Sequence, residues 1–199
     1  MKPRPNPDVT AHPDAAATPD DQGSRQAARA VAVIVIATAV KLAVFAALER
    51  PWGCDCGRIW AMPGDPALNS QTLLDPYSLL HAVTGALLVL LVTRLRPDLG
   101  LWALLAVVVA SSTTWEVIEN LPVSIRLFGY DAADPLAYHG DSRLNAFADT
   151  ACAVAGALFA RVASARVVLA LAVGTEISLS LWIQDGFVIA AIRALQQAL

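Results

Sequence analysis

The chain has 199 residues, of which 56% are hydrophobic and only 16% are charged, and its net charge is -3. A soluble domain of this size carries about 25% charged residues, so the composition indicates a membrane protein. The negative net charge argues against nucleic acid as a partner. The three cysteines, Cys54, Cys56 and Cys152, are too few for a fold held together by disulfides.

The N-terminal segment, residues 1–26, is rich in Pro, Asp, Ala and Thr and has almost no large apolar side chains. Such a segment buries too little surface to offset its loss of entropy on ordering, so we expect a disordered cytoplasmic tail. Residues 27–199 are predicted to form a transmembrane helical domain. Its first apolar run, residues 28–48, is longer than the apolar part of a typical signal peptide, which favours an uncleaved anchor.

Four more apolar runs follow, and each approaches the roughly 17 to 25 residues that a helix needs to span hydrocarbon. A spanning segment must satisfy its own backbone hydrogen bonds, so each run is predicted to be a helix. The expected fold class is therefore all-α, a multi-pass bundle of about five spans. The last piece, from Phe187 to Leu199, is too short to span and predicts an interfacial helix. The spans after the first are residues 77–93, 99–120, 144–161 and 167–183.

Basic residues concentrate at alternate ends of these helices. They precede the first helix, follow the second and flank the turn after the fourth, whereas the intervening loops are biased towards acidic residues. The positive-inside rule therefore predicts a cytoplasmic N-terminus and a C-terminus on the opposite side. The basic residues that set this orientation are Lys2, Arg4, Arg25, Arg29, Arg94, Arg96, Arg161 and Arg166.

Several ionisable side chains lie inside the apolar runs, where charge is costly and usually has a purpose. Glu116 and Glu119 are one helical turn apart near the outer end of the third span. His81 lies one turn inside the second span, and Asp149 lies just over one turn inside the fourth. At 1.5 Å of rise per residue, their depths agree within roughly 5 Å. The sequence thus predicts one polar layer, whose mouth would hold Arg143, Asp141 and Asn145.

This polar layer has three interpretations. In a structural role, the carboxylates accept hydrogen bonds and hold the helices together. In a chemical role, neighbouring carboxylates repel, so one holds its proton and an acid lies beside a base. In the third, a divalent metal binds to carboxylate oxygens and a histidine nitrogen. The candidate catalytic residues are Glu116, Glu119, His81 and Asp149, and the candidate substrate-binding residues are Arg143, Asp141 and Asn145, with Arg143 for an anionic group.

Cys54 and Cys56 lie in the first outer loop, a compartment that permits disulfides. A bridge across a single residue is expected to be strained, so a reactive pair or two soft metal ligands are alternatives to thiols that are packed or transiently paired. If this loop reaches the polar layer, then Cys54 and Cys56 join His81 and Glu116 as metal ligands.

Lys41 and Glu176 lie near the middle of the first and fifth spans. A salt bridge between them would reduce the cost of burying each charge. The alternative for Lys41 is that its long side chain extends to the membrane interface.

Several short motifs occur in order and at defined spacing from Cys54 to about Leu195. They are Cys54-Asp55-Cys56-Gly57-Arg58-Ile59-Trp60, Asn69-Ser70-Gln71, Asp75 with His81 and Gly85, Trp115-Glu116 with Glu119-Asn120, Gly140-Asp141-Ser142 with Asn145 and Asp149, and Glu176 with Asp185. Together they resemble an uncharacterised integral-membrane protein family of alphaproteobacteria. This resemblance implies a multi-pass protein of the bacterial inner membrane and no particular activity.

A looser likeness exists to VanZ-like membrane proteins. Those proteins have Asp then His on one helix, Glu at the end of the next, and Arg then Asp opening a third; here the order is filled by Asp75, His81, Glu116, Arg143 and Asp149. The chain departs from that pattern with Glu119 in place of Gln and Ala153 in place of Asn. The likeness implies work in the cell envelope, although analogy at this level does not establish a function.

The sequence therefore predicts a membrane-embedded enzyme or metal-binding protein whose site faces the periplasm. The expected substrate is a membrane lipid or another envelope compound, and a divalent metal is the candidate cofactor. The alternative is a non-enzymatic scaffold or transport-type protein whose polar layer is structural or carries protons.

Overall fold

The computed structural model describes residues 19–128 and 136–198. Within them the fold is helical, with one isolated β-bridge between Trp60 and Leu74 and no longer strand. Four helices, α1, α2, α3 and α6, are long and apolar enough to cross a membrane. The predicted all-α membrane fold is therefore confirmed. The helices are α1 (Pro19–Ala47), α2 (Ser78–Leu95), α3 (Leu101–Glu119), α4 (Pro122–Leu127), α5 (Arg143–Ala160), α6 (Ala165–Trp182) and α7 (Phe187–Ala198).

The predicted bounds of α2, α3, α5 and α6 differ from the structure by at most two residues at each end. The first helix differs more, because it begins at Pro19, and proline is favoured at the start of a helix. Residues 19–26, predicted to belong to the tail, form about two turns of α1. The rest of the predicted tail, residues 1–18, lies outside the described residues.

Helix α5 lies between α2 and α3 and packs more closely against each than they pack against each other. It is as long as α2, but its polar first turns keep it out of the group of four apolar helices. It runs in the same direction as α2, because Ser78 contacts Asp149 near their first turns while Val89 and Ala160 share a buried cluster near their last. That α5 crosses the membrane as a fifth span stays a prediction.

Two glycines permit the close approach of α2 and α5. A Cβ atom on Gly85 would lie 1.9 Å from the carbonyl oxygen of Ala153, and one on Gly156 would lie 1.8 Å from that of Ala82. The backbones therefore touch at this crossing, as small residues allow between membrane helices.

Two connecting segments, residues 48–77 and 136–142, meet over the end of the bundle at which α2 and α5 begin. We call this end the outer end and the two segments the cap layer. The amide of Ser142 donates to the carbonyl oxygen of Ser70 at 2.9 Å, and the amide of Arg143 donates to that of Pro51 at 2.8 Å. The side chain of Asn69 donates to the Leu136 carbonyl oxygen at 3.0 Å. These bonds between distant segments fix the cap layer above the polar layer.

Helix α7 is the predicted short C-terminal helix, and it packs against α4 and α6. Its first turn is held by Glu176 of α6, whose carboxylate accepts hydrogen bonds from the amides of Phe187 and Val188 at 3.0 and 2.9 Å. A carboxylate at a helix N-terminus satisfies amides that have no partner inside the helix. The interfacial position of α7 stays a prediction.

The predicted pair between Lys41 and Glu176 is wrong. The Lys41 ammonium donates to the carbonyl oxygen of Ala146 at 2.9 Å and to the hydroxyl of Thr150, and it lies 5.4 Å from the centre of the Phe147 ring. The reason is the order of packing, since α1 lies against α3 with Lys41 facing α5, whereas α6 lies against α2 and α7. Lys41 thus finds a carbonyl, a hydroxyl and a ring in place of a carboxylate.

Candidate functional site

A cavity of about 500 Å³ lies beneath the cap layer, between α2, α3, α5 and α7. Its outer end is polar, and its inner end is apolar, where Leu88, Val108 and Ala153 form the wall. Ala190 and Ala191 of α7 close one side. The ionisable side chains that line the cavity are His81, Glu119, Tyr138, Asp141, Asp149 and Asp185.

His81 lies between two buried carboxyl groups from different helices. Its Nδ1 atom is 3.5 Å from Oε1 of Glu116 on α3, and its Nε2 atom is 3.6 Å from Oδ2 of Asp149 on α5. Both distances suit an ion pair and are longer than a hydrogen bond. The structure therefore brings together three of the side chains that the sequence placed in one layer.

The positions of Glu116 and Asp149 on either side of His81 limit the protonation states that these three groups can adopt together. A neutral imidazole donates through one nitrogen only, so it cannot serve two ionised carboxylates at once. Either His81 is positively charged, or one of Glu116 and Asp149 holds a proton. In both cases a group that holds a proton lies beside a group that can accept one, which is the requirement for acid–base chemistry.

Glu116 is 0% exposed, and neither of its carboxyl oxygens has a hydrogen-bond partner among the described residues. A buried carboxylate without partners is costly, so the site favours a proton or a cation beside it. His81, Glu116 and Glu119 each offer one ligand atom, and these atoms lie within 4.8 Å of one another. Ligands of one divalent ion, bound at roughly 2.0–2.5 Å, lie no more than about 5 Å apart, so these three fit such an ion.

Asp149 is held in place by Ser78, whose hydroxyl donates to Oδ1 of Asp149 at 2.5 Å. Ser78 also accepts from the amide of Asp75 at 3.3 Å, so one hydroxyl links α5 to the start of α2. The sequence interpretation missed Ser78. Ser78 lies three residues before His81 on the same face of α2, and this spacing could have indicated that it belongs to the site.

Asp75 caps α2, because its Oδ1 atom accepts from the amides of Tyr77 and Ser78 at 2.8 and 3.2 Å. Its Oδ2 atom accepts from Asn145 at 3.4 Å. Burial raises the pKa of Asp75 to about 6, and the nearby charge of Asp141 adds to this rise. Asn145, a predicted substrate-binding residue, therefore supports the cap of α2 and does not line the cavity.

Asp141, another predicted substrate-binding residue, does line the cavity. Its carboxylate accepts from the Tyr138 hydroxyl at 2.8 Å and from the side chain of Asn120. Its amide donates to Oδ1 of Asn120 at 2.8 Å. Burial raises the pKa of Asp141 and raises the pKa of Tyr138 well above its usual value. Asn120 and Tyr138 thereby position Asp141 at the polar end.

Arg143 lies at the start of α5, but its guanidinium is directed at Trp52, 4.9 Å from the ring centre, and it does not line the cavity. Arg50 is directed at the carbonyl oxygens of His139 and Asn120. Among the described residues that line the cavity there is no lysine or arginine. The predicted anion-binding arginine is thus occupied in the cap layer, where an aromatic ring attracts its charge.

Cys54 and Cys56 are joined to each other by a disulfide in the cap layer. Neither lines the cavity, and neither belongs to the metal-capable group of His81, Glu116 and Glu119. The metal-site hypothesis combined the two cysteines with His81 and Glu116 of the polar layer. In the structure the cysteines lie apart from that layer. The bonded sulfurs are not thiolates, which are the form that binds metal.

The chain is similar to known sequences over most of its length. A family model described as "Protein of unknown function (DUF2585)" matches residues 45–197. A UPF0314 protein of Sphingopyxis alaskensis is 32% identical over 154 residues, 76% of this chain and 80% of the relative. UPF0314 proteins of Novosphingobium aromaticivorans and Rhizobium meliloti are 33% and 32% identical and cover 81% and 86% of this chain, and 81% and 87% of their own lengths. No solved structure matches.

Proposed function

We propose that this chain, which belongs to the DUF2585 family, is a membrane-embedded enzyme that acts on an amphiphilic substrate by acid–base chemistry. The family match confirms the resemblance seen in the motifs, whereas the likeness to VanZ-like proteins stays a prediction. The observation that carries the proposal is His81, placed between Glu116 and Asp149 at the polar end of a cavity between candidate membrane helices.

In the proposed reaction, His81 takes a proton from the attacking hydroxyl or water and returns it to the leaving group. Asp149, oriented by Ser78, stabilises the charged imidazole on one side. Glu116 holds the complementary proton or charge on the other side. Glu119 lines the cavity and is half-buried, so it is placed to contact the substrate itself.

The proposed location is the bacterial inner membrane, with the cap layer on the periplasmic side. The support is a group of basic residues at the ends of the helices away from the cap layer, Arg25, Arg29, Arg94, Arg96, Arg161 and Arg166. The polar layer lies about one helical turn inside that surface, which is the depth of lipid headgroups. An envelope lipid or lipid-linked compound is therefore the proposed substrate.

The test is a search for lipid conversion by purified protein in nanodiscs made from a bacterial envelope lipid extract, read by mass spectrometry. His81→Asn should lower conversion by at least about 100-fold, because it removes the proton carrier. His139→Asn is the matched control, since His139 is exposed and contacts Arg50 only through its backbone. Equal conversion by His81→Asn and wild type, or none by any sample, would contradict the proposal.

A second candidate function, binding of a divalent metal, is favoured by the unpartnered oxygens of Glu116 and the positions of His81 and Glu119. Such an ion would act as a Lewis acid beside the cavity. Metal content of the purified protein, measured by mass spectrometry, tests this. A near-stoichiometric metal lost in Glu116→Gln but kept in Cys54→Ser supports it, and loss in Cys54→Ser alone assigns the metal to the cap layer.

A further inference from the structure

We infer that the cavity binds amphiphiles with a positively charged amine headgroup, which enter from the bilayer between α2 and α3. This inference rests on the proposed function and names its substrate class. It also replaces the anionic substrate that the sequence suggested through Arg143. Three features of the structure carry it, namely the opening, the two ends of the cavity and the charges that line it.

The exposed residues that mark the opening lie on two candidate membrane helices. Thr84 on α2 and Ser111 and Trp115 on α3 line the cavity and are exposed, with Trp115 43% exposed. Because α2 and α3 are apolar enough to span a bilayer, residues exposed on them face lipid. α5 keeps the two helices apart by packing between them. The cavity is therefore accessible to a molecule that moves within the membrane.

The two ends of the cavity match the two parts of an amphiphile. The inner wall, with Leu88 and Val108, suits an alkyl chain, and it lies deeper along α2 and α3 than the polar end. The outer end, with His81 and Glu119, suits a polar headgroup. Cavities that hold ligands commonly pair an apolar wall with a few convergent polar groups, as here.

The charges at the outer end select the sign of the headgroup. The cavity is lined by Glu119, Asp141, Asp149 and Asp185, and no lysine or arginine lines it among the described residues. Lys41, Arg50 and Arg143 do not line the cavity and are directed at carbonyl oxygens, a hydroxyl and an aromatic ring. The described basic side chain that contacts a lining carboxylate is Arg193, 3.9 Å from Asp185, so a phosphate or sulfate in this place would meet more carboxyl groups than basic groups. An ammonium group would instead pair with the carboxylates.

Glu116 does not itself line the cavity, but its carboxyl group beside His81 is a second observation that points to a cation. It is fully buried within 3.5 Å of His81, and both of its oxygens are unpartnered among the described residues. Hydrogen bonds from neighbouring side chains satisfy Asp141 and Asp149, but no side chain in the described part of the chain donates to Glu116. A positive charge bound at His81 and Glu119 would lower the cost of this buried group.

The experiment compares dodecylamine with dodecyl phosphate, which share a chain length and differ in headgroup charge. Binding to the full chain in neutral maltoside micelles with EDTA is measured by titration calorimetry. We expect the amine to bind at least about tenfold more tightly, and Glu119→Gln to weaken amine binding by about tenfold. Thr84→Trp should block binding, whereas Thr114→Trp should not, because Thr114 is an exposed threonine on α3 outside the cavity.

Equal or tighter binding of dodecyl phosphate in EDTA would overturn the inference. So would amine binding that is insensitive to both Glu119→Gln and Thr84→Trp. Tight phosphate binding only after zinc is added would show a metal-bridged anionic headgroup and would also overturn it. Amine binding without lipid conversion would refute the proposed enzyme activity and leave the inference intact. Conversion of anionic lipids alone would support the enzyme activity and overturn the inference.

Discussion

Glu116 differs from the other carboxyl groups of the site because no described residue donates a hydrogen bond to it. Asp149 accepts from Ser78, and Asp141 accepts from Tyr138 and Asn120, but no described residue donates to Glu116. A carboxyl group in that position is stable when it is protonated or beside a cation. At the scale of single residues, the chemistry of the site therefore depends on what supplies that positive charge or proton.

Glu116→Gln separates a chemical role from a structural one. The substitution is nearly isosteric and removes no hydrogen bond. We therefore expect the melting temperature in detergent to stay equal or rise, with a gain in the free energy of unfolding of at most about 1–3 kcal/mol. Lipid conversion should be lost. A variant with low abundance and a lower melting temperature would show instead that the Glu116 charge holds the helices together.

Asp75 makes stability depend on pH. Its pKa is about 6 in the folded protein against an ordinary 3.8, so the folded state binds more protons between these values than the unfolded state. Stability should therefore fall as pH rises from about 4 to about 6. Unfolding midpoints measured across this range should show a weaker decline in Asp75→Asn. An identical pH profile in the variant would contradict the assignment to Asp75.

At the scale of elements, the packing of α2 on α5 controls the shape of the site. Gly85 and Gly156 let the two backbones touch, and this contact sets the depth at which His81 faces Asp149. α5 also packs between α2 and α3, where the proposed opening of the cavity lies. The geometry of the polar layer and access to it thus depend on the same helix crossing.

Gly85→Ala should destabilise the protein, because the added Cβ would lie 1.9 Å from the Ala153 carbonyl oxygen and the backbones must separate. Overpacking of this kind costs roughly 1–3 kcal/mol. Gly174→Ala is the matched control, since a Cβ there meets nothing within 4 Å and alanine is the better helix former. Thermal unfolding in detergent measures both, and equal midpoints for the two variants would contradict close packing at Gly85.

At the scale of the whole molecule, the cap layer, the polar layer and α7 all lie at one end of the helices. The turns between α2 and α3 and between α5 and α6 lie at the other end, together with the basic residues Arg94, Arg96, Arg161 and Arg166. This separation gives the molecule two unlike faces. The positive-inside rule predicts that the turns face the cytoplasm and the cap layer the periplasm.

Reporter fusions test this orientation. Alkaline phosphatase, which is active only in the periplasm, should be active when fused after Leu199 and inactive when fused after Asp98, in the turn between α2 and α3. A cytoplasmic fluorescent reporter should give the opposite pattern at the same positions. Activity after Asp98 would reverse the orientation, and an inactive C-terminal fusion would contradict five crossings.

Local patterns in the sequence determined the helices and the depth of their polar residues. Apolar runs end where polar loops begin, and rise per residue places His81, Glu116 and Asp149 at similar depth, so these features followed without knowledge of packing. Ser78 lay within reach of the same reasoning, because helical spacing places it on the face of His81.

The tertiary structure alone decided which side chains meet and where the cavity opens. Lys41 faces α5, Arg143 faces Trp52, and Cys54 is bonded to Cys56, because each depends on how distant segments are rotated and placed against one another. Hydrophobic periodicity reports which face of a helix is buried but not against which neighbour. The order in which α1, α5 and α6 pack therefore separated Lys41 from Glu176, and the packing of α5 against both α2 and α3 brought Asp149 and Glu116 to opposite sides of His81.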